Sequence, residues 1–249
     1  GAAIWSAAPG DMLDFPARYF IRFFHNHGML SVDERPQSRV IRGGSSQYIA
    51  PLTAGFKDRI RLQSPVSRIR RDASGVWVET ASTPTERYDA VVLACHSNQA
   101  LAMLDQPTTP EREILGAIPY QENEAILHTD ASVLPKAKLA WAAWNYHIPR
   151  EPRDRVAVTY NMNILQGLEA PETFCVSLNY PGTIDPSRIL KRLTYHHPAY
   201  TPAGIAAQQR HGDISGHHRT YYAGAYWGFG FHEDGVRSGL RAADQIRAS

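Results

Sequence analysis

Only two cysteines, Cys95 and Cys175, occur in the 249 residues of this sequence. That is too few for a disulfide scaffold or a structural zinc site, and it is compatible with a reducing compartment. Long apolar stretches are missing as well: no run reaches the roughly 18 residues a membrane-spanning helix needs, so no transmembrane segment is expected. The opening residues Gly1 to Ser6 lack the positive start and apolar stretch of a secretory signal, which gives a cytoplasmic expectation. There is no initiating Met, and an aromatic, helix-like stretch follows almost at once, as expected of a start inside a longer protein. Charge of one sign is scarce. The net charge is +2 and the basic residues are scattered, apart from Arg68, Arg70 and Arg71. Nothing resembles the stripe that neutralises nucleic-acid phosphates, so nucleic acid is not an expected partner. The 11 histidines include His25 and His27, His196 and His197, and His217 and His218, yet none falls at a metal-ligand spacing, and adjacent histidines on a strand point opposite ways. No metal site is expected. A Gly-x-Ser-x-Gly hydrolase elbow is also missing, since Gly43-Gly44-Ser45 leads into a helix without the strand such an elbow requires.

What is present, 43% apolar and 20% charged residues, suits a globular chain with a sizeable core. Met12, Phe15, Tyr19, Phe20, Phe23 and Phe24 recur at helical spacing between Pro9 and His27, and a short helix is expected after Gly43-Gly44. From Ile60 to Ala94 the period changes to that of three successive strands, the last a run from Tyr88 to Ala94 that reads as buried on both faces. Helices near Ser97 to Leu104 and Pro110 to Ile118 come next. Strand patterns then return at Ala125 to Thr129, Leu139 to Tyr146, Arg155 to Asn161 and Thr173 to Asn179, giving an antiparallel sheet. Pro181 to His218 shows no sustained period and reads as irregular chain with one short helix. Arg219 to Gly224 predicts a strand, Ala225 to Phe231 a glycine-rich turn, and Asp234 to Arg247 an amphipathic helix capped by Asp234, with Val236, Leu240 and Ala243 on one side.

The most specific stretch is that last one, Tyr221-Tyr222-Ala223-Gly224-Ala225-Tyr226-Trp227-Gly228-Phe229-Gly230-Phe231-His232-Glu233-Asp234-Gly235-Val236-Arg237-Ser238-Gly239. A strand, a glycine-rich turn and a helix start converge unpaired N–H groups and the positive end of a helix dipole, which suits an anionic acceptor. The block resembles the closing FAD motif of the flavin-containing amine oxidase, phytoene desaturase and protoporphyrinogen oxidase superfamily. It is similar more narrowly to bacterial predicted NAD/FAD-binding proteins. Supporting stretches are Ala2-Ala3-Ile4-Trp5-Ser6, Phe24-His25-Asn26-His27-Gly28, Gly43-Gly44-Ser45, Val91-Val92-Leu93-Ala94-Cys95-His96, Leu127-His128-Thr129-Asp130 and Trp141-Ala142-Ala143-Trp144-Asn145-Tyr146.

The resemblance implies an α/β, FAD/NAD(P)-binding (amine oxidase-like) fold, incomplete at its N-terminus, with an interleaved α+β substrate domain containing an antiparallel sheet. It implies a partial FAD-binding domain from 38–104 and 217–249, and a substrate domain from 1–37 and 105–216. It also implies that FAD would meet the backbone near Val66, the strand end at Ala94, Gly224, Ala225 and the helix start at Gly235 and Val236. Two departures stand out: Ala225 replaces the acidic residue that many relatives carry after the glycine, and no strand leads into a Gly-x-Gly-x-x-Gly fingerprint. The missing Rossmann segment is therefore expected upstream. Trp141, Trp144, Asn145 and Tyr146 are candidate substrate walls, with Tyr226 and Trp227 near the flavin, and Trp144, Tyr146, His128 and His232 are the candidate catalytic side chains. Two functions follow as expectations. One is FAD-dependent oxidation, desaturation or isomerisation of a mostly apolar small molecule, lipid-like or an amine; the other is a cofactor-free fragment or small-molecule binding module without redox activity.

Overall fold

A computed structural model of the chain describes residues 1–7, 10–33, 36–37, 39–151 and 154–248. Pro9 and Ser38, used above as a helix entry and a domain boundary, lie outside the described residues. The chain divides into two compact units, Gly1–Ile60 with Tyr120–His197, and Arg61–Pro119 with Pro198–Ser249. These divisions differ from the boundaries expected near residues 38, 104 and 216, for a reason of packing. The helices on either side of residue 104 and the helix after residue 198 share one core with the strands around residues 69 and 93.

The first unit opens with α1 (Ala2–Trp5), α2 (Ala17–Asn26) and α3 (Ile49–Thr53). Pro16 stops the expected single helix and serves as the N-cap of α2, because proline cannot supply an interior helical N–H. Trp5, Phe15 and Phe23 are buried together, with ring centroids 4.7 Å apart for Trp5 against each phenylalanine.

The second unit begins with β1 (Val66–Asp72), β2 (Gly75–Thr80), β3 (Glu86–Tyr88) and β4 (Val91–Leu93), followed by α4 (Ser97–Met103) and α5 (Thr109–Gly116). β1, β2 and β3 form an antiparallel meander. The expected strand from Tyr88 to Ala94 is broken: β3 stays with the meander, while β4 leaves for a different, parallel pairing. Nor is β4 buried on both faces, since Val92 is 41% exposed.

Back in the first unit, β5 (Tyr120–His128), β6 (Trp144–His147), β7 (Ala157–Asn161), the short helix α6 (Met162–Gln166), β8 (Cys175–Leu178) and β9 (Ile189–Pro198) build a five-stranded sheet of order β6-β7-β8-β5-β9. β6, β7, β8 and β5 pair antiparallel in that order. β9 falls where irregular chain was expected. It is an edge strand with mostly exposed side chains, so its sequence carries no alternation to reveal it.

The chain finishes in the second unit with α7 (Pro202–Gln209), β10 (Thr220–Tyr222) and α8 (His232–Ala248). β10 pairs parallel with β4, Thr220 opposite Val91 and Tyr222 opposite Leu93. Ile69, Val76, Leu93, Leu104, Ile114, Leu115, Ile214 and Tyr222 make this unit's core. Among the described residues no helix is long and apolar enough to cross a membrane.

Candidate functional site

The parallel pair brings two sequence-distant strand ends together. The Ala223 N–H donates to the Leu93 carbonyl at 3.0 Å, so Ala94 and Gly224 emerge side by side at the carboxyl ends of β4 and β10. In open α/β sheets, ligands bind at this edge. Past Gly224 the chain makes a single 3-10 turn, Ala225–Trp227, and then enters α8.

That turn is held from several sides. The Gly224 N–H donates to Ser238 Oγ at 2.8 Å, and the Ser238 hydroxyl donates to the Gly235 carbonyl at 2.9 Å, which ties helix to strand end. Gln208 of α7 donates to the Tyr226 carbonyl at 2.8 Å and to the Gly228 carbonyl at 2.9 Å. His211, 3% exposed, shares a 2.9 Å hydrogen bond with the Tyr222 carbonyl, which only a ring N–H can make, and burial lowers its pKa. Its ring meets Trp227 edge-on at 4.6 Å. A side chain at Gly224 would overlap the Tyr226 ring unless that buried ring shifted, which favours glycine there. Gly230 has φ +91°, the left-handed region that glycine alone adopts readily.

α8 begins at His232, earlier than expected. Asp234 caps it from within, its carboxylate accepting the Phe231 N–H at 3.1 Å, and the Gly235 N–H is already bonded to the Phe231 carbonyl. The helix buries small residues, Ser238 and Ala242, while Val236 and Leu240 are 57% and 60% exposed. The more apolar side of the helix is thus the outward one, and the inward side packs Ala242 against Tyr221 and Ala223. Val66 sits apart from the turn at the start of β1 and packs on the same core as Val91, Cys95 and Trp227.

Does this edge fit a flavin nucleotide? One buried donor is unanswered: among the described residues, the Trp227 indole N–H has no hydrogen-bond partner. A buried donor of that kind costs about 1–3 kcal/mol until an acceptor reaches it. A ligand rich in carbonyl and phosphate oxygens supplies acceptors, and Ala94, Ala225 and Gly235 are all at least partly exposed to meet one. The partly exposed edge and the Trp227 donor fit the group, but the unpaired backbone N–H groups expected of the turn do not: those of Gly224, Gly228, Gly230, Phe231 and Gly235 are already bonded within the motif.

On the sheet of the first unit, the candidate aromatic wall splits by face. Trp144 and Tyr146, 45% and 49% exposed, share one face with Tyr160, whose ring meets Trp144 at 5.1 Å. Asn145 points the other way. It is buried and ties β6 to the segment before it and to β7 by donating to the Ala142 and Thr159 carbonyls at 2.7 and 3.2 Å. Trp141 donates its indole N–H to the Pro135 carbonyl at 2.8 Å. His128 has 0% exposure and is enclosed by Ser177 and the Asp130 amide, so it cannot reach a ligand directly. His232 is exposed at the start of α8. Gln208, His211 and Ser238 escaped the sequence reading, since no local pattern marks a side chain that clamps a turn of another segment.

Residues 10–139, just over half the chain, match the family model for flavin containing amine oxidoreductases. The chain belongs to this family. Solved structures of this amine oxidoreductase fold agree with it. A fatty acid isomerase from P. acnes that produces CLA superposes with a TM-score of 0.58 at 17% identity, covering 82% of this chain and 52% of the other. For a putrescine oxidase bound to putrescine the values are 0.57, 13%, 84% and 54%. Cyclohexylamine oxidase from Brevibacterium oxydans IH-35A gives 0.63, 14%, 99% and 62%. This amine oxidoreductase chain therefore spans between half and two thirds of the length of the structures it matches. No curated protein sequence matches it.

Proposed function

We propose that the chain forms part of an FAD-dependent oxidoreductase acting on a mostly apolar small molecule, by oxidation, desaturation or isomerisation. The observation that carries the reading is the shared carboxyl edge of β4 and β10, with Ala94 and Gly224 adjacent, α8 beginning just beyond, and the unanswered Trp227 N–H in the same unit. When bound, the flavin supplies an acceptor for an electron pair and a hydrogen from a C–H bond. This chain's residues would hold it: Ala94, Gly224 and Ala225 would offer backbone without bulk, Gly235 and Val236 the exposed side of α8, and the backbone near Val66 a further contact. The α8 dipole, positive at His232, favours negative charge on a group near its start. Trp144 and Tyr146 form an aromatic surface that can receive an apolar substrate and exclude water. The substrate is a lipid-like molecule or an amine. Because the comparison structures are longer, the partial FAD-binding unit is completed in this reading by a Rossmann segment outside these 249 residues.

A second reading, a binding module without redox chemistry, draws on the Gly224 amide, which Ser238 already satisfies. Both are tested by a near-ultraviolet and visible absorbance spectrum of the chain, and of a version extended upstream, after incubation with FAD and desalting. Flavin retained by either version, and bleached by a substrate under anaerobic conditions, is the expected result. Failure of both to retain flavin would leave the binding module.

A further inference from the structure

The sheet of the first unit contains a buried hydrogen-bond chain that crosses four strands and ends at an open cleft. His128 on β5 meets Ser177 on β8 through Nε2 at 2.9 Å, Ser177 meets Thr159 on β7 at 2.7 Å, and Thr159 meets His147 Nε2 on β6 at 2.8 Å. His128, Ser177 and Thr159 are all 0% exposed. One backbone group fixes the direction of every bond. The Asp130 N–H donates to His128 Nδ1 at 3.2 Å, so Nδ1 carries no proton and neutral His128 holds its hydrogen on Nε2. Nε2–H must then donate to Ser177, Ser177 to Thr159, and Thr159 to His147 Nε2. Any other arrangement leaves a buried hydroxyl hydrogen with no acceptor, at a cost of about 1–3 kcal/mol. His147 is left neutral, with its hydrogen on Nδ1. Burial lowers the pKa of both histidines, in keeping with the neutral forms.

His147 lines a cleft of about 570 Å³ together with Tyr146, Ile148, Arg150, Glu151 and Tyr180. The Tyr180 ring stands edge-on to His147 at 5.0 Å, and Ile148 is 85% exposed. Arg150 is exposed and makes no ion pair with any described residue. We propose that this cleft is a subsite for a carboxylic acid with an apolar body, its carboxylate taking a hydrogen bond from His147 Nδ1–H and the charge of Arg150, and its body lying on Tyr180 and Ile148. A guanidinium and a neutral N–H donor together match the two oxygens of one carboxylate. Glu151 opposes the ligand from the cleft wall, which makes the charge balance adjustable. The subsite lies wholly within the first unit and does not depend on the flavin reading.

The test uses the 249-residue chain with ¹⁵N-labelled histidine, titrated with octanoate and followed through the imidazole nitrogens. Without ligand, His147 is expected as the neutral Nδ1–H tautomer, and octanoate is expected to shift its Nδ1 resonance saturably. R150Q should weaken octanoate at least fivefold and E151Q should tighten it; both positions are exposed, so both variants fold. T159V should mix the His147 tautomers and weaken octanoate, and if T159V fails to fold, H147N, which keeps an N–H donor near Nδ1, should retain binding where H147F loses it. Unsaturable or absent His147 shifts, equal effects of R150Q and E151Q, or an equal response to inorganic phosphate or acetate would overturn the proposal.

Discussion

At the scale of single residues, the decisive contacts in the second unit join side chains far apart in sequence. Glu111, 1% exposed, pairs with Arg71 through both carboxylate oxygens, accepts the Tyr222 hydroxyl at 2.7 Å and takes the Thr108 N–H at 2.7 Å. Burial pushes the Glu111 carboxyl up, but the hydrogen bonds from Arg71, Tyr222 and Thr108 outweigh it and hold the pKa down to about 2. The folded value lies below the unfolded one, so this group stabilises the fold fully above about pH 5 and ceases to do so as pH falls toward 2. The stake is on the order of 3 kcal/mol. Urea unfolding across that range should show the loss in the parent chain and not in E111Q. E111A should cost about 3–5 kcal/mol by stranding the Arg71 charge, whereas an apolar replacement of both partners should cost far less. Gln208 is the second such residue: Q208A strips two carbonyls of their donor and should cost about 1–3 kcal/mol in chemical denaturation, with weaker flavin retention. Neither Glu111 nor Gln208 was legible in the sequence. A glutamate three residues after Thr108 announces a capping box, and the box is there, but nothing local says that the same carboxylate also neutralises an arginine 40 residues away.

At the scale of elements, legibility followed burial. β1, β2, β7, α4 and α5 appeared where period and turn residues put them, because each buries part of its side chains, whereas β5 starts at Tyr120, five residues before the expected Ala125. β9 did not, since its exposed positions include Lys191, Arg192 and Thr194 in a run that alternates with nothing. Those charges guard an open sheet edge. Replacing Lys191 and Arg192 with valine should leave the sheet intact and increase concentration-dependent light scattering. The closing motif was legible as strand, turn and helix, yet which side of α8 packs was not. Hydrophobicity favoured Val236 and Leu240, but the contact of α8 with β10 buries Ser238 and Ala242. S238A deletes the acceptor of the Gly224 N–H inside that contact. It should destabilise the second unit by about 1–3 kcal/mol and shift its melting transition, with little effect on the first unit.

Across the whole molecule, each unit is assembled from two separate stretches of sequence. A flavin that binds one unit should raise the unfolding transition of that unit alone, by about 2.7 kcal/mol at a ligand concentration a hundred times its Kd. Trp77 and Trp227 report the second unit, and Trp5, Trp141 and Trp144 the first, so single-tryptophan variants followed by fluorescence would separate the two responses. The parallel pairing of β4 with β10 also sets an order of events in time. The sheet of the first unit draws its strands from one stretch, Tyr120 to Pro198, and joins β7 to β8 through a short helix. β4 must wait for a β10 partner that follows that entire sheet, and the Tyr222 hydroxyl meets Glu111 at a sequence separation of 111. Closing so long a loop is slow relative to local pairing. On the ribosome the sheet can form while β4 still lacks its β10 partner, and an unpaired strand edge in that interval favours aggregation.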